Sequence, residues 1–323
     1  MIYCDGSMPL SGNWRRKDLK TVHVFLSTYN GEKYLREELD SILAQESVQV
    51  RLHVRDDGSK DGTADILKEY ALRYSNMDVV FGDNVGYIRS FMWLTEHQEP
   101  VEGEYYAFSD QDDIWLPKKL NSAVEMIEND GFDGPMVYYS DLNVVDENGK
   151  FIRKANTWEG TITKYKLSVF IGIRGCTMVY NNSMQKLLFG RKIQKISGHD
   201  TYIALIGYWL GKVVYDENAY IDYRQTGENL SITGTSSKDK FLKNLVYVKK
   251  RMTVRANIHE DNAKEVLRQY GEEYPDKLGE LKLVADYKNS IRSRVALLTN
   301  PRFKSFSLPI RAFNDLFILI GKL

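Results

Sequence analysis

Cysteine is scarce in this chain, with only Cys4 and Cys176 among 323 residues. Two cysteines so far apart exclude a disulfide-dense scaffold and fit a reducing compartment. The first 20 residues lack the apolar core of a secretory signal, and no stretch approaches the roughly 18 apolar residues of a membrane-spanning helix. We therefore expect a globular cytoplasmic protein, and 43% hydrophobic residues are enough to build a core.

Net charge is also absent, because 44 basic residues balance 44 acidic residues. The two signs are unevenly distributed: residues 238–323 hold 18 basic and 10 acidic residues, and residues 1–237 hold 26 and 34. Such asymmetry indicates different partners for the two parts of the chain. Either the basic part lies against a membrane surface, or its charges keep a helical region soluble.

Short apolar runs alternate with helix-like patterns in the first third of the chain. The runs VHVFLSTYN, VRLHVRDDGS, MDVVFG and EYYAFSD are typical of strands, and the segments after the first two repeat apolar residues every three or four positions. Pro117 stands where the next helix would begin. This alternation predicts βαβ units, and hence an α/β fold with a mostly parallel sheet.

The rest of the chain is less regular. A turn at residues 146–149 predicts a hairpin, and HDTYIALIGYWLG predicts an apolar helix that ends at Gly211. We expect a flexible lead-in over residues 1–20, a catalytic domain over 21–235 and a helical C-terminal region over 236–323.

Polar residues end three of the predicted strands, at positions 27–30, 56–59 and 110–113. Ligands of open α/β sheets bind beyond the carboxyl ends of the strands. We therefore expect these three clusters to converge, although they are far apart in sequence.

The stretch FSDQDDIWLPKKL is the densest of these clusters. Asp110 and Asp112 stand two positions apart, an arrangement that suits a divalent cation on an anionic diphosphate. Alone, such a pair is more often a solvated acidic turn. Its position after a buried-type strand and before Pro117 favours the metal interpretation.

Three further groups have both a structural and a functional interpretation. Asp56 and Asp57 fit a turn before a helix, or acceptors for a nucleobase or ribose. Residues 27–30 fit a strand end, or a ring placed against a nucleobase. Asp200 opens an apolar helix, where an acid favours the helix dipole and could also act as a general base.

The segments FLSTYNGEKYLREELDSILAQ, VRDDGSKDGT, DNVG and FSDQDDIWLPKKL occur in that order. Together they resemble family-2 glycosyltransferases with the GT-A fold. The later segments GCTMVYN and HDTYIALIGYWLG are similar to the bacterial polysaccharide rhamnosyltransferases of that family. The resemblance implies a Rossmann-like α/β domain with a mostly parallel sheet flanked by helices, and it covers about residues 20–235.

The resemblance also implies roles for individual residues. Asp200 is implied as the catalytic base, and Asp110 and Asp112 as ligands of Mg²⁺ or Mn²⁺. Acceptor-side positions are Gly175, Cys176, Thr177 and His199. Positions implied to bind the nucleotide-sugar are Ser27, Tyr29, Asp56, Asp57, Asn84, Gly86, Arg89, Asp110, Gln111, Asp113, Trp115 and Arg224.

One position departs from the family pattern. Where many relatives have a histidine near the diphosphate or metal, this chain has Thr226. Threonine is a poor substitute as a ligand. Arg224 would then carry more of the phosphate charge, since guanidinium is always protonated and bidentate, or it forms a surface salt bridge.

The C-terminal stretch NPRFKSFSLPIRAFNDLFILIGKL interleaves aromatic and aliphatic residues with Arg and Lys. This mixture suits an amphipathic helix at an anionic membrane surface. It equally suits a helix that packs its apolar face on the catalytic domain or on a second subunit of a homodimer.

The function implied is inverting transfer of a sugar from a nucleotide-sugar to a hydroxyl of a polyprenyl-diphosphate-linked glycan, in capsule or O-antigen synthesis. The first donor is dTDP-rhamnose; UDP-galactose, UDP-glucose and UDP-N-acetylhexosamine remain open. No nucleic acid is expected as a partner. A sugar-phosphate nucleotidylyltransferase ranks lower, because STYNGEKYL lacks a glycine-rich basic phosphate loop. An inactive glycan-binding module ranks lower because the acids expected of an active enzyme, Asp56, Asp110, Asp112 and Asp200, are all present.

Overall fold

The computed structural model describes residues 19–155, 162–169, 173–225, 257–304 and 308–323. One sheet of nine strands forms its centre. The strands are β1 (Lys20–Thr28), β2 (Val48–Asp56), β3 (Met77–Phe81), β4 (Tyr105–Ser109), β5 (Ile114–Trp115), β6 (Met136–Val145), β7 (Phe151–Ala155), β8 (Val179–Asn181) and β9 (Lys212–Arg224).

The sheet is parallel on one side and mixed on the other. Its order is β3-β2-β1-β4-β8-β6-β9-β5, with β7 paired to β6. Strands β3, β2, β1 and β4 run parallel, whereas β8 is antiparallel to both β4 and β6. Strand β9 is parallel to β6 and antiparallel to β5. The predicted α/β class is confirmed, and its parallel part is the half built from the first four βα units.

The described part of the chain also contains twelve α-helices. They are α1 (Leu35–Leu43), α2 (Thr63–Arg73), α3 (Tyr87–His97), α4 (Lys119–Asp130), α5 (Lys164–Leu167), α6 (Asn182–Leu188), α7 (His199–Leu210), α8 (Ile258–Tyr270), α9 (Pro275–Leu278), α10 (Lys282–Asp286), α11 (Ile291–Thr299) and α12 (Leu308–Leu319).

Side chains that alternate between the two faces of β1 divide the core into two layers. Val22, Val24 and Leu26 face a cluster that includes the buried residues of α1, α2 and α4. Phe25 faces the opposite cluster, with α3, α6 and α7. Successive strand residues point to opposite faces, so a strand apolar at both sets of positions must be covered on both sides.

The C-terminal helices share the core of the sheet domain. Apolar residues of α8 to α12, among them Tyr270, Val284 and Ile318, belong to the same buried cluster as α7. On α12, Phe317 is buried, whereas Phe313 remains 42% exposed. The described C-terminal helices therefore pack on the sheet, and α12 has both a buried and an exposed apolar residue.

Several local predictions can be compared with the structure. Strand β1 begins at Lys20, one residue inside the predicted lead-in, whose residues 1–18 lie outside the described part. Helix α4 begins at Lys119, two residues after Pro117. The hairpin at residues 146–149 joins β6 to β7, with Gly149 at φ +79°. Helix α7 ends before Gly211, as predicted.

Within the described residues, no helix combines the length and the apolar character needed to cross a bilayer.

Candidate active site

The ends of β1 and β4 are joined by the side chain of Gln111. Its Oε1 accepts from the Tyr29 N–H at 2.8 Å, and its Nε2 donates to the Tyr29 carbonyl at 3.1 Å. A Cβ on Gly31 would lie 2.5 Å from Gln111 Oε1, so the glycine permits this close approach. The amide therefore fixes the loop that carries Tyr29, whose ring is 45% exposed.

Asp56 closes the end of β2. Its carboxylate accepts from Thr28 Oγ1 at 3.1 Å and from the Ser59 N–H at 3.0 Å. Ser27, one position earlier on β1, donates from Oγ to Ser90 Oγ at 2.7 Å. The predicted clusters at the ends of β1, β2 and β4 thus lie at one edge of the sheet.

Asp57 is buried and its carboxylate is fully engaged by protein groups. It forms an ion pair with the buried Arg55 guanidinium. It also accepts from the Val85 N–H at 2.9 Å and from the Gly86 N–H at 2.8 Å. Arg55 in turn donates to the Asp83 carbonyl at 3.0 Å. This ion pair holds the 82–86 loop against the end of β2.

The 82–86 loop leads into α3 and borders an open cleft. Gly86 has φ +81°, a left-handed conformation that favours glycine, and Asn84 is exposed. The cleft has a volume of about 320 Å³ and lies between this loop, the start of α3 and residues 193–196. Arg89 lines it, with its guanidinium bound to both Glu96 carboxylate oxygens at 2.5 and 2.8 Å.

Four carboxyl groups lie close together where the loop after β4 meets α1. Burial, followed by repulsion from Asp113, raises the pKa of Glu38 well above its usual value. Burial, followed by Asp110 and Asp112, does the same to the pKa of Asp113. Burial, together with Asp112 and Asp200, raises the pKa of Asp110 to about 7. Burial also raises the pKa of Asp112, although Arg224 opposes the shift.

The unpaired acids in this cluster fit a divalent cation. Asp113 Oδ2 and Glu38 Oε2 are buried and accept no hydrogen bond. A buried carboxylate oxygen without a partner costs free energy. Carboxylates are also the ligands that Mg²⁺ and Mn²⁺ prefer. A cation bound here would stabilise the ionised carboxylates, which burial disfavours in all four residues and repulsion disfavours further in Glu38, Asp110 and Asp113.

Arg224, at the end of β9, ties this loop in place. Its backbone N–H donates to Asp113 Oδ1 at 3.2 Å and its Nε donates to the Asp112 carbonyl at 3.0 Å. Its Nη1 donates to the Glu147 carbonyl at 2.7 Å, and its Nη2 donates to Glu37 at 2.5 Å. The guanidinium is buried and faces these groups rather than open solvent. Thr226 lies outside the described residues.

Trp115 is packed in the core below the acids. The residue is 3% exposed, and the Lys119 ammonium stands 3.6 Å from the centre of its ring. Burial lowers the pKa of Lys119 to about 8. A direct contact between Trp115 and a sugar would require the ring to leave this packing.

The 3₁₀ turn Gly175–Thr177 contacts the acids through Cys176. The Sγ of Cys176, one oxygen of Asp110 and one oxygen of Asp113 lie within 4.8 Å of one another. Thr177 Oγ1 donates to the Arg174 carbonyl at 2.8 Å, which closes the turn. Burial, followed by the two carboxylates, raises the pKa of the thiol.

His199 and Asp200 open α7 beside this turn. The His199 ring stacks on Phe91 at 4.3 Å, and burial lowers its pKa. A Cβ on Gly175 would lie 2.5 Å from His199 Nε2. Asp200 is half-buried, and its Oδ1 accepts from the Thr201 N–H at 2.6 Å. Its charge is close enough to contribute to the raised pKa of Asp110.

Sequence reasoning missed four charged residues that shape the site. Glu38 lies on the buried face of α1, between Leu35 and Leu39; an acid within an apolar stripe was the available signal. The others are Arg55, Lys119 and Arg174, and nothing in their local sequence distinguishes them from surface cations.

Comparisons with known proteins identify the family to which the chain is similar. The model of "Glycosyl transferase family 2" matches residues 23–188. The dTDP-rhamnosyl transferase RfbG of Shigella flexneri is 27% identical over 258 residues, which cover 74% of this chain and 86% of that protein. An uncharacterized glycosyltransferase of Nostoc sp. is 29% identical over 151 residues, 46% of this chain and 45% of that protein.

Solved structures share the fold at low identity. TarS residues 1–349 of S. aureus, in complex with UDP-GlcNAc, has a TM-score of 0.54 at 18% identity, over 92% of this chain and 89% of that one. The mannosyltransferase PcManGT of Pyrobaculum calidifontis, in complex with GDP-Man and Mn²⁺, has a TM-score of 0.52 at 17% identity, over 95% and 86%. From the family match, which spans half of the chain, and from this shared GT-A-like fold, we conclude that the chain belongs to glycosyltransferase family 2.

Proposed function

We propose that this protein is an inverting glycosyltransferase that moves a sugar from a nucleotide-sugar to an acceptor hydroxyl. The observation that carries this proposal is the position of Asp200. Its carboxylate stands at the start of α7, near enough to Asp110 to raise the pKa of that acid. This position supports a role for Asp200 as proton acceptor beside the proposed cation site, at the edge of the parallel strands where ligands of such sheets bind.

The proposed donor is dTDP-rhamnose. Support comes from the Shigella relative, whose name states that it is a dTDP-rhamnosyl transferase and which aligns over 74% of this chain. UDP-galactose, UDP-glucose and UDP-N-acetylhexosamine are the alternatives, and the TarS complex with UDP-GlcNAc makes the last of them a necessary comparison.

In the proposed mechanism, Asp200 accepts the proton of the acceptor hydroxyl as that oxygen attacks the anomeric carbon. One displacement forms the new glycosidic bond, breaks the bond to the diphosphate and inverts the anomeric centre. Asp110 and Asp112 would hold Mg²⁺ or Mn²⁺, and a cation held there would neutralise charge on the leaving diphosphate. The mannosyltransferase complex with Mn²⁺ supports a metal in this fold.

Ser27, Tyr29 and Asp56 are proposed to receive the base and ribose, because they lie together at the ends of β1 and β2. Asn84 and Gly86 would lie along the nucleotide-sugar.

Other residues implied to touch the donor are proposed to position it indirectly. Asp57 holds the 82–86 loop, Gln111 holds Tyr29, and Arg224 holds the acidic loop. Arg89 and Trp115 are engaged by Glu96 and by Lys119.

The acceptor is proposed to approach past the turn at Gly175–Thr177 and His199. A glycan on a polyprenyl diphosphate, at the cytoplasmic face of the membrane, is the proposed class.

The C-terminal helices are proposed to bring the protein to an anionic membrane surface. Ile291 and Val295 on α11 are 82% and 50% exposed, and Leu316 and Leu319 on α12 are 50% and 57% exposed. Residues 282–323 contain eight Lys and Arg but two Asp and Glu, a composition that favours anionic lipid.

Flotation with anionic vesicles tests this surface. We expect the Leu316→Ser/Leu319→Ser protein to lose vesicle binding. Leu72→Ser is the matched control, because Leu72 is 91% exposed on α2, away from these helices. Unchanged binding of the double variant would reject the membrane proposal, and its conversion from a dimer to a monomer would assign the surface to a homodimer.

The catalytic base is tested by Asp200→Asn. We expect turnover to fall at least about a hundredfold, the low end of general-base effects, while the affinity for the donor stays close to that of the unmodified protein. Asp65→Asn is the control, because Asp65 also lies in the first turn of a helix but is exposed. Full activity of Asp200→Asn would reject the assignment.

The two lower-ranked functions give different results in the same assays. A nucleotidylyltransferase would form the nucleotide-sugar from a nucleoside triphosphate and a sugar phosphate, with release of pyrophosphate. An inactive glycan-binding protein would bind glycan but would not consume any nucleotide-sugar.

A further inference from the structure

The turn at Gly175–Thr177 brings a thiol into the acidic cluster. Cys176 Sγ, one oxygen of Asp110 and one oxygen of Asp113 lie within 4.8 Å of one another. Cys176 and Asp113 are 1% and 0% exposed, whereas Asp110 is half-buried. The three side chains therefore enclose a small inner pocket, which is accessible from the side where Asp110 lies.

Asp113 also has an oxygen that no protein group satisfies. Its Oδ1 accepts from the Arg224 N–H at 3.2 Å, but its Oδ2 is buried without a hydrogen-bond partner. Buried polar atoms are nearly always paired. An ion in the inner pocket would supply the missing partner.

The nearest buried ammonium does not fill this role. Lys119 Nζ forms no hydrogen bond and stands over the Trp115 ring at 3.6 Å. The guanidinium of Arg224 is bound to Glu37 and to two carbonyls. The buried Oδ2 of Asp113 thus has no hydrogen-bonded cationic side chain among the described residues.

We propose that Asp110, Asp113 and Cys176 form an inner cation site that prefers a thiophilic divalent metal, such as Zn²⁺ or Cd²⁺, over Mg²⁺. Thiolate is a soft ligand that selects such metals, whereas carboxylates alone do not discriminate against Mg²⁺ in this way. Binding forms a metal–sulfur bond and breaks the S–H bond, and the proton leaves to solvent. This inference rests on the metal site of the proposed function, but it concerns binding rather than sugar transfer.

Titration with Cd²⁺ alone tests the site, without any nucleotide-sugar. We expect the unmodified protein to develop thiolate-to-Cd²⁺ charge-transfer absorbance that saturates at one Cd²⁺ per chain. Cys176→Ser should abolish this absorbance and weaken Cd²⁺ binding at least about tenfold, since the loss of even an outer-shell partner of a metal ligand costs about 10–100-fold. Mg²⁺ binding should change little, because the carboxylates remain.

Cys4→Ser is the matched control, since Cys4 is the other cysteine of the chain. This variant should retain the absorbance. Asp113→Asn keeps the thiol and should also weaken Cd²⁺ binding. Agreement between the two variants would show that the loss in Cys176→Ser is not caused by misfolding of that variant alone. Circular dichroism checks that both variants are folded.

Three results would overturn the inner site: no charge-transfer absorbance in the unmodified protein, its persistence in Cys176→Ser, or its loss in Cys4→Ser. Failure of sugar transfer with Cd²⁺ binding intact would instead contradict the proposed function and leave the inner site standing.

Discussion

Replacing Asp57 by Asn separates a structural role of this acid from a direct contact with the nucleotide. The carboxylate of Asp57 is buried and faces the buried guanidinium of Arg55. It also accepts hydrogen bonds from the N–H groups of Val85 and Gly86. The amide introduced by Asp57→Asn would carry no negative charge. Its NH₂ group would replace one acceptor oxygen and would face an N–H donor of the protein.

The expected loss of stability is large. Breaking a buried ion pair by removing one partner costs about 3–5 kcal/mol, because the remaining charge stays buried without compensation. We expect the free energy of unfolding of Asp57→Asn, measured in urea, to fall by about that amount. Asp65→Asn, which removes an exposed pair with Lys68, should change it by less than about 1 kcal/mol.

The same variant should also bind the nucleotide-sugar less tightly, because the 82–86 loop loses its anchor. Reduced donor affinity with an unchanged free energy of unfolding would refute the structural role. That result would mean that Asp57 contacts the nucleotide directly.

Two further changes test the packing and the electrostatics of the fold. Gly175→Ala places a Cβ 2.5 Å from His199 Nε2, so we expect a loss of about 1–3 kcal/mol from overpacking; Gly279→Ala meets no atom within 4 Å and should be neutral or stabilising by up to about 1 kcal/mol. Equal urea midpoints for the two would contradict this. Burial, followed by repulsion from His23, lowers the pKa of His53 to about 4. The unfolded chain therefore binds more protons between pH 4 and 6.5, and stability present above 6.5 is lost as the pH falls. From pH 7 to pH 5 the unmodified protein should lose about 2 kcal/mol more than His53→Gln does, at about 1.4 kcal/mol per pKa unit; identical pH profiles would reject the shift.

Hydrophobic periodicity was sufficient to predict the α/β class and the first four strands. Each strand is an apolar run because it is covered on both faces, as Val24 and Phe25 illustrate on opposite sides of β1. The convergence of residues 27–30, 56–59 and 110–113 also followed from parallel strand order. The antiparallel position of β8 between β4 and β6 could not be predicted in this way, because strand pairing depends on contacts between segments distant in sequence.

Roles of individual polar residues were harder to predict. Arg224 has the residue type expected for a phosphate, but the fold uses its donors on Glu37 and on backbone carbonyls. Asp57 is adjacent to Asp56, yet only Asp56 lies among hydroxyl groups at the strand edge. A motif fixes residue type and spacing, whereas the partner of each side chain depends on which other elements reach it.

Turnover of nucleotide-sugars in the presence of Mg²⁺ or Mn²⁺ tests the central claim most directly. The unmodified protein is incubated with dTDP-rhamnose and, separately, with UDP-galactose, UDP-glucose and UDP-N-acetylglucosamine, and the released sugar is followed by NMR. We expect dTDP-rhamnose to be consumed fastest, with the released or transferred sugar first appearing in the anomeric configuration opposite to that of the donor. Loss of turnover with EDTA and in Asp200→Asn should accompany this result. Retention of the donor's configuration, or no consumption of any nucleotide-sugar with metal present, would contradict the account.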